Sequence, residues 1–176
     1  MFPDVLQTPR LQLRPIVLSD AGPIFNTYAQ DPEVTRFVVF RRHQKREDAD
    51  LFVSRCNASS PEASRTYALC GREDGAFRGV LGLTQIRLHH VEFGYVLARP
   101  WWGQGLMTEA LIVAVDWALA QPGNFRVSGV CDVENIASAR VMEKAGLARE
   151  GLLRRWIVFP NISEYPRDCL SYAKTR

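Results

Sequence analysis

The spacing of apolar and polar residues changes period twice along the chain. Leu11 to Arg14 alternate, then Pro15 and the Ser19-Asp20 pair mark a turn and a helix N-cap, predicting a first helix from about Asp20 to Gln30 that Asp31-Pro32 stops. Val34 to Phe40 is apolar without a clear period and suits either a short helix or an extended connection. A second helix is expected over Glu47 to Cys56, its acidic first turn matched to the helix dipole, and Asn57 to Ser64 reads as loop. From Arg65 the period shortens to two. Thr66 to Cys70 and Gly79 to Arg87 read as antiparallel strands, with Glu73-Asp74-Gly75 supplying the hairpin turn, and Val91 to Leu97 follows as a third β-rich run. The period then lengthens: between Met107 and Leu119, residues Ala110, Leu111, Ala114, Val115, Ala118 and Leu119 recur at the spacing of one buried helical face. Gln121 to Asn124 end that helix. Phe125 to Asp132 reads as a buried strand, and Asn135 to Lys144 as a helix closed by Gly146 in a left-handed C′ position. Arg155 to Phe159 and Asp168 to Ala173 read as two last strands joined by a polar loop.

Strands first, then strand, helix, strand and helix, give a mixed α/β sheet. The 176 residues suit one domain over 1–176, and 47% hydrophobic with 23% charged residues fits a folded chain. A net charge of +3 is too mild to suggest nucleic-acid binding, though it favours an anionic ligand. No stretch has the length and apolarity of a membrane span and the first residues lack a leader pattern, so a cytoplasmic protein without a membrane partner is expected. Cys56, Cys70, Cys131 and Cys169 form no C-x-x-C pair and have no histidine at ligand spacing, so no metal is expected. His43, His89 and His90 show no partner pattern, and the Arg41 to Arg46 run reads as a solvated face.

The stretch that carries chemistry is Arg99-Pro-Trp-Trp-Gly-Gln-Gly-Leu-Met-Thr-Glu-Ala110. It feeds a strand into a helix through Gly103-Gln104-Gly105, so that backbone N–H groups converge at the positive end of a helix dipole, where a pyrophosphate is stabilised. A Walker lysine and a complete Gly-x-Gly-x-x-Gly are both absent, which argues against ATP or NAD.

Trp102 to Ala110 resembles the acyl-CoA-binding signature of the GNAT N-acetyltransferase superfamily, in its RimJ/RimL-like ribosomal-protein-alanine acetyltransferase branch. Thr8-Pro-Arg-Leu-Gln-Leu-Arg-Pro15 with Asp20 resembles that branch's opening strand and helix; Asn135 to Ser138, Val141 and Glu143 to Leu147 resemble its second CoA-contacting motif, with Glu150-Gly151 and Arg154 in the strand beyond. The resemblance implies a GNAT fold, a mixed and mostly antiparallel sheet of about seven strands flanked by helices. It also implies acetyl-CoA as acyl donor, an amine acceptor and a homodimer. The pyrophosphate is then expected on Gly103, Gln104, Gly105, Leu106, Met107 and Thr108, with pantetheine contacts from Gly94, Tyr95, Val96, Asn135 and Ser138. Trp101 and Trp102 are expected to pack on the cradle, and Glu164, Tyr165 and Arg167 to border the acceptor. Two positions depart from the pattern: Met107 stands where a small residue is usual, and Met142 where many members carry the tyrosine that serves the leaving thiolate.

An alkylammonium of pKa roughly 10 must lose a proton before it attacks a thioester. The resemblance implies Glu92 as base and Ser138 as the group that serves the thiolate. It further implies direct transfer, with a protein N-terminus as first acceptor and an amino acid, polyamine or antibiotic as the alternative. A covalent route through Cys131 lacks an activating neighbour in sequence. Met107 and Met142 motivate a last alternative, an acyl-CoA-binding protein without turnover.

Overall fold

Eight strands form one sheet in the computed structural model, which describes residues 1–176. In chain order they are β1 (Leu6–Gln7), β2 (Leu11–Pro15), β3 (Ser64–Gly71), β4 (Phe77–Arg87), β5 (His90–Leu97), β6 (Arg126–Asp132), β7 (Ala148–Ile157) and β8 (Arg167–Thr175). The spatial order is β1-β2-β3-β4-β5-β6-β8-β7, and every neighbouring pair is antiparallel except β5 with β6. The strand not foreseen is β1, two residues held by Leu6 opposite Leu13. The penultimate strand begins at Ala148, ahead of the Arg155 start read from the apolar pattern, and takes in Glu150, Gly151 and Arg154 as the family resemblance implies; its register jumps between Leu153 and Ile157, where Arg155 has φ 46.

The helices are α1 (Ala21–Ile24), α2 (Arg46–Ala58), α3 (Leu106–Ala120) and α4 (Ile136–Lys144). A 3₁₀ turn at Leu18–Asp20 leads into α1, and a π turn over Phe25–Ala29 follows it. Asp20 works from inside this first helical turn, accepting from the Val17 N–H at 2.9 Å and from Arg14 at 2.7 and 2.8 Å, so Val17 occupies the capping position. Val34 to Phe40 forms turns only, within the α1–α2 connection.

Alternation along β5 separates two cores. Val91 and Phe93 join the cluster under α3 and α4, and Tyr95 and Leu97 pack on it, whereas Val96 packs on the cluster around α1 and α2. All six periodic positions of α3 are buried, as its spacing predicts. The sheet therefore has a face on α3 and α4 and a face on α1 and α2. No helix is long and apolar enough to cross a membrane.

Candidate active site

The only parallel pair in the sheet comes apart. β5 and β6 are in register at His90 with Arg126, Val91 with Val127 and Glu92 with Ser128, and nowhere beyond. From Phe93 onward β5 has no partner on that side, which leaves strand backbone free to bond a ligand. The crevice opens into a cavity of about 530 Å³ between the end of β5, the Gly103–Thr108 turn and the first turns of α4.

The turn is built as a cradle. Gly103 and Gly105 have φ of 74 and 75, a left-handed conformation that costs little without a Cβ. N–H groups from Gly103 through Thr108 donate to no backbone carbonyl, and Glu109 N is the first to bond, to Gly105 O at 3.0 Å. They sit at the positive end of a 15-residue helix. Arg10 holds the turn from outside: its Nη1 donates to Gln104 O at 3.0 Å, its Nε to Glu109 Oε2 at 2.8 Å and its N–H to Glu109 Oε1 at 2.9 Å. Thr8 Oγ1 adds a bond to Glu109. Trp102 ties the turn back to β5, its Nε1 donating to Leu97 O at 2.7 Å, and Trp101 faces the Arg78 guanidinium at 4.1 Å.

Tyr95, Val96, Gly103, Gly105, Leu106, Met107, Thr108, Asn135 and Ser138 line this one cavity. Three residues named from sequence do not. The Gln104 side chain turns back to Pro100 O at 3.0 Å, Gly94 is exposed on β5, and Glu92 lies further back on β5, where it still pairs with Ser128 of β6. Met107 is 3% exposed and belongs to the core under α3, and Met142 is fully buried there too.

Ser138, at the start of α4, meets a tyrosine from β5, Tyr95. Its hydroxyl lies 2.8 Å from Ser138 Oγ, and burial pushes its pKa well above the phenolic value, so it stays protonated at neutral pH. Asn135 caps α4 by accepting from Ser138 N at 3.1 Å, which fixes the serine at the rim of the crevice. Nothing local in the sequence signals the Tyr95–Ser138 pair, because the β5 register alone brings them together. Cys131 is 4% exposed with its thiol pushed up to about 11 by burial, which opposes a thiolate nucleophile.

Alternation puts Glu92 on the α1–α2 face of β5 with Val96, nearer the point where β5 and β6 still pair. Its carboxylate makes no hydrogen bond and no ion pair, and burial alone raises its pKa above the ordinary glutamate value. Every carboxylate in the α1–α2 and β6–α4 connections nearby is already engaged except Glu33. Asp31 pairs with Arg99, while Asp132 and Glu134 are bridged by Arg167 at 2.6 and 2.8 Å, and Arg36 closes the network on Glu134 at 3.1 Å. Asn161 ties the β7–β8 loop to the α1–α2 connection through Thr35 O, Phe40 O and Arg42 N at 2.8, 2.9 and 3.0 Å. Arg167, expected at the acceptor border, is thus a strut between loops, whereas Tyr165 is exposed.

Arg140 and Lys144, one helical turn apart on α4, also line the cavity and have no carboxylate partner. Unpaired cations beside a cradle of free N–H groups fit the phosphates of coenzyme A, and the glycine turn leaves open space where a Cβ at Gly103 would stand. Arg140→Glu is expected to raise the KM for acetyl-CoA several-fold to roughly tenfold at low salt, with kcat little changed and the effect shrinking as salt is added. Initial-rate measurements at two ionic strengths check it.

The comparisons with known proteins agree with this geometry. Residues 10–148 match the family model of the acetyltransferase (GNAT) domain. The uncharacterized N-acetyltransferase YoaA of Bacillus subtilis is 29% identical over 100% of this chain and 99% of its own, and the uncharacterized N-acetyltransferase p20 of Bacillus licheniformis is 28% identical over 86% of each. Among solved structures, a GNAT-family acetyltransferase from Bacillus anthracis superposes with a TM-score of 0.85 at 22% identity, covering 97% of this chain and 98% of that one. Mycobacterium smegmatis RimJ, in complex with a CoA disulfide, does so at 0.85 and 22% over 99% and 90%. The free N–H cradle, the splayed strands and the match over most of the chain make it a member of the GNAT acetyltransferase family, an N-acetyltransferase that uses acetyl-CoA.

Proposed function

We propose that this enzyme transfers acetyl directly to the α-amine of a protein N-terminus, with Glu92 as base and Ser138 as acid. The observation that carries the reading is the partnerless, half-buried Glu92 carboxylate, which by alternation shares its β5 face with Val96, a residue of the cavity lining. Glu92 takes the proton of the attacking ammonium, directly or through one water. Backbone N–H groups near Gly94 to Val96 stabilise charge on the thioester oxygen as the nitrogen–carbon bond forms. As the carbon–sulfur bond breaks, Ser138 Oγ donates its proton to the sulfur and regains one from solvent water, while the protonated Tyr95 hydroxyl holds Ser138 Oγ in place.

The acceptor follows from proton energetics. A carboxylate, even one raised by burial, is a weak base. It serves an α-amine of pKa about 8 far better than a lysine-like amine near 10.4. A free amino acid would also bring its own carboxylate towards Glu92, a like-charge approach in a half-buried site. A peptide N-terminus has neither drawback. RimL, a ribosomal alpha-N-protein acetyltransferase crystallised with coenzyme A, shares the fold at TM-score 0.85 and 18% identity, which is compatible with such an acceptor. Thiol release from acetyl-CoA against N-terminal peptides, amino acids, polyamines and aminoglycosides, with products read by mass, tests the reading. Turnover on the α-amine of peptides is expected; turnover confined to small amines would replace it.

A further inference from the structure

The crevice between β5 and β6 has a closed end, and one ring closes it. Pairing stops at Glu92 with Ser128, so Phe93 and Gly129 are the first residues of the two diverging strands. Both lie on the α3–α4 face. A Cβ built on Gly129 would stand 2.5 Å from Cε2 and Cζ of Phe93, so the ring reaches from β5 onto β6 and fills the space that any side chain at Gly129 would need. The ring is 7% exposed and stacks on Tyr95, with centroids 6.1 Å apart and planes 5° from parallel. The open cavity is bounded by Tyr95, Val96 and Leu97 and stops short of Phe93.

We infer that Phe93, seated on Gly129, sets the length of acyl group the enzyme accepts and restricts it to short chains. An acyl group whose carbonyl is held near Gly94 to Val96 has its tail directed along the crevice towards the point where the strands meet. A methyl group ends before the Phe93 ring. Each further methylene has to displace a ring packed in the core, and such overpacking costs more than the added apolar contact returns. The inference rests on this crevice being the acyl-donor site and is independent of the acceptor.

Calorimetric titration with CoA, acetyl-, propionyl-, butyryl- and hexanoyl-CoA tests it without an acceptor. For the wild type, affinity is expected to fall by roughly tenfold or more from acetyl- to hexanoyl-CoA. Phe93→Ala should abolish that fall, and Phe93→Leu, which keeps most of the core volume, should reduce it and covers the case in which the alanine variant does not fold. A merely structural Phe93 would weaken all donors alike and leave the ranking intact. Equal binding of hexanoyl- and acetyl-CoA by the wild type overturns the inference, as does an unchanged ranking in a folded variant. Failure of CoA itself to bind would overturn it together with the assignment of the site.

Discussion

Glu92→Gln is expected to lower kcat roughly 10²- to 10⁴-fold, the range for loss of a positioned general base, with acetyl-CoA binding unchanged because Glu92 lies outside the cavity lining. The pH profile identifies the role. Burial raises the Glu92 pKa and no partner lowers it again. The active form is the ionised one, so wild-type kcat/KM should fall as pH drops through a value above the ordinary glutamate range. That acidic limb should vanish in Glu92→Gln, leaving only the limb in which the acceptor amine deprotonates near pH 8. Stability moves the other way. A carboxyl whose folded pKa is raised binds its proton more tightly in the native state, so folding loses stability as pH rises from the unfolded to the folded pKa, and the penalty persists above it. Removing the charge should leave the melting temperature at pH 7 equal or slightly higher. A variant with wild-type kcat would remove Glu92 from the mechanism.

The parts of this site that could be read from sequence are those written in short-range pattern. The six apolar positions of α3, the glycine pair before it and the Asn135 cap each depend on residues within a few turns, and all stand where the pattern puts them. The splay of β5 from β6 was accessible only through resemblance, since no residue marks where a pairing ends. What stayed hidden is long-range. Arg10 and Glu109 meet across 99 positions to brace the cradle, and Tyr95 meets Ser138 across 43. Two-residue β1 has no period to detect, and the positive φ of Arg155 interrupts β7 at a residue type that gives no turn signal. Met107 and Met142 are departures visible only by comparison with the motif, and their burial in the core under α3 depends on the whole fold.

Ser138→Ala should lower kcat by roughly ten- to a hundredfold, less than loss of the base, because a thiolate is already a good leaving group with a conjugate thiol pKa near 8.5. KM for acetyl-CoA should change little, since the substituted residue keeps the backbone N–H that the Asn135 side chain accepts from. Tyr95 is a positioning residue here: its hydroxyl is kept protonated by burial and is bonded to Ser138 Oγ rather than aimed at the sulfur. Tyr95→Phe preserves the ring that stacks on Phe93 and removes that bond together with the longer one from the Tyr95 hydroxyl to Ser138 O at 3.3 Å, costing about 1 kcal/mol of stability. Its effect on kcat should be smaller than that of Ser138→Ala and should vanish in the serine's absence. A double-mutant cycle reads this directly. If the double variant turns over like Ser138→Ala alone, the tyrosine acts through the serine. If the two losses multiply, each hydroxyl reaches the sulfur independently and Tyr95 does not act through Ser138. The thiol's own ionisation gives a second readout, because an acid that serves the leaving group matters less as pH rises past the thiol pKa, so the deficit of Ser138→Ala should narrow above about pH 9.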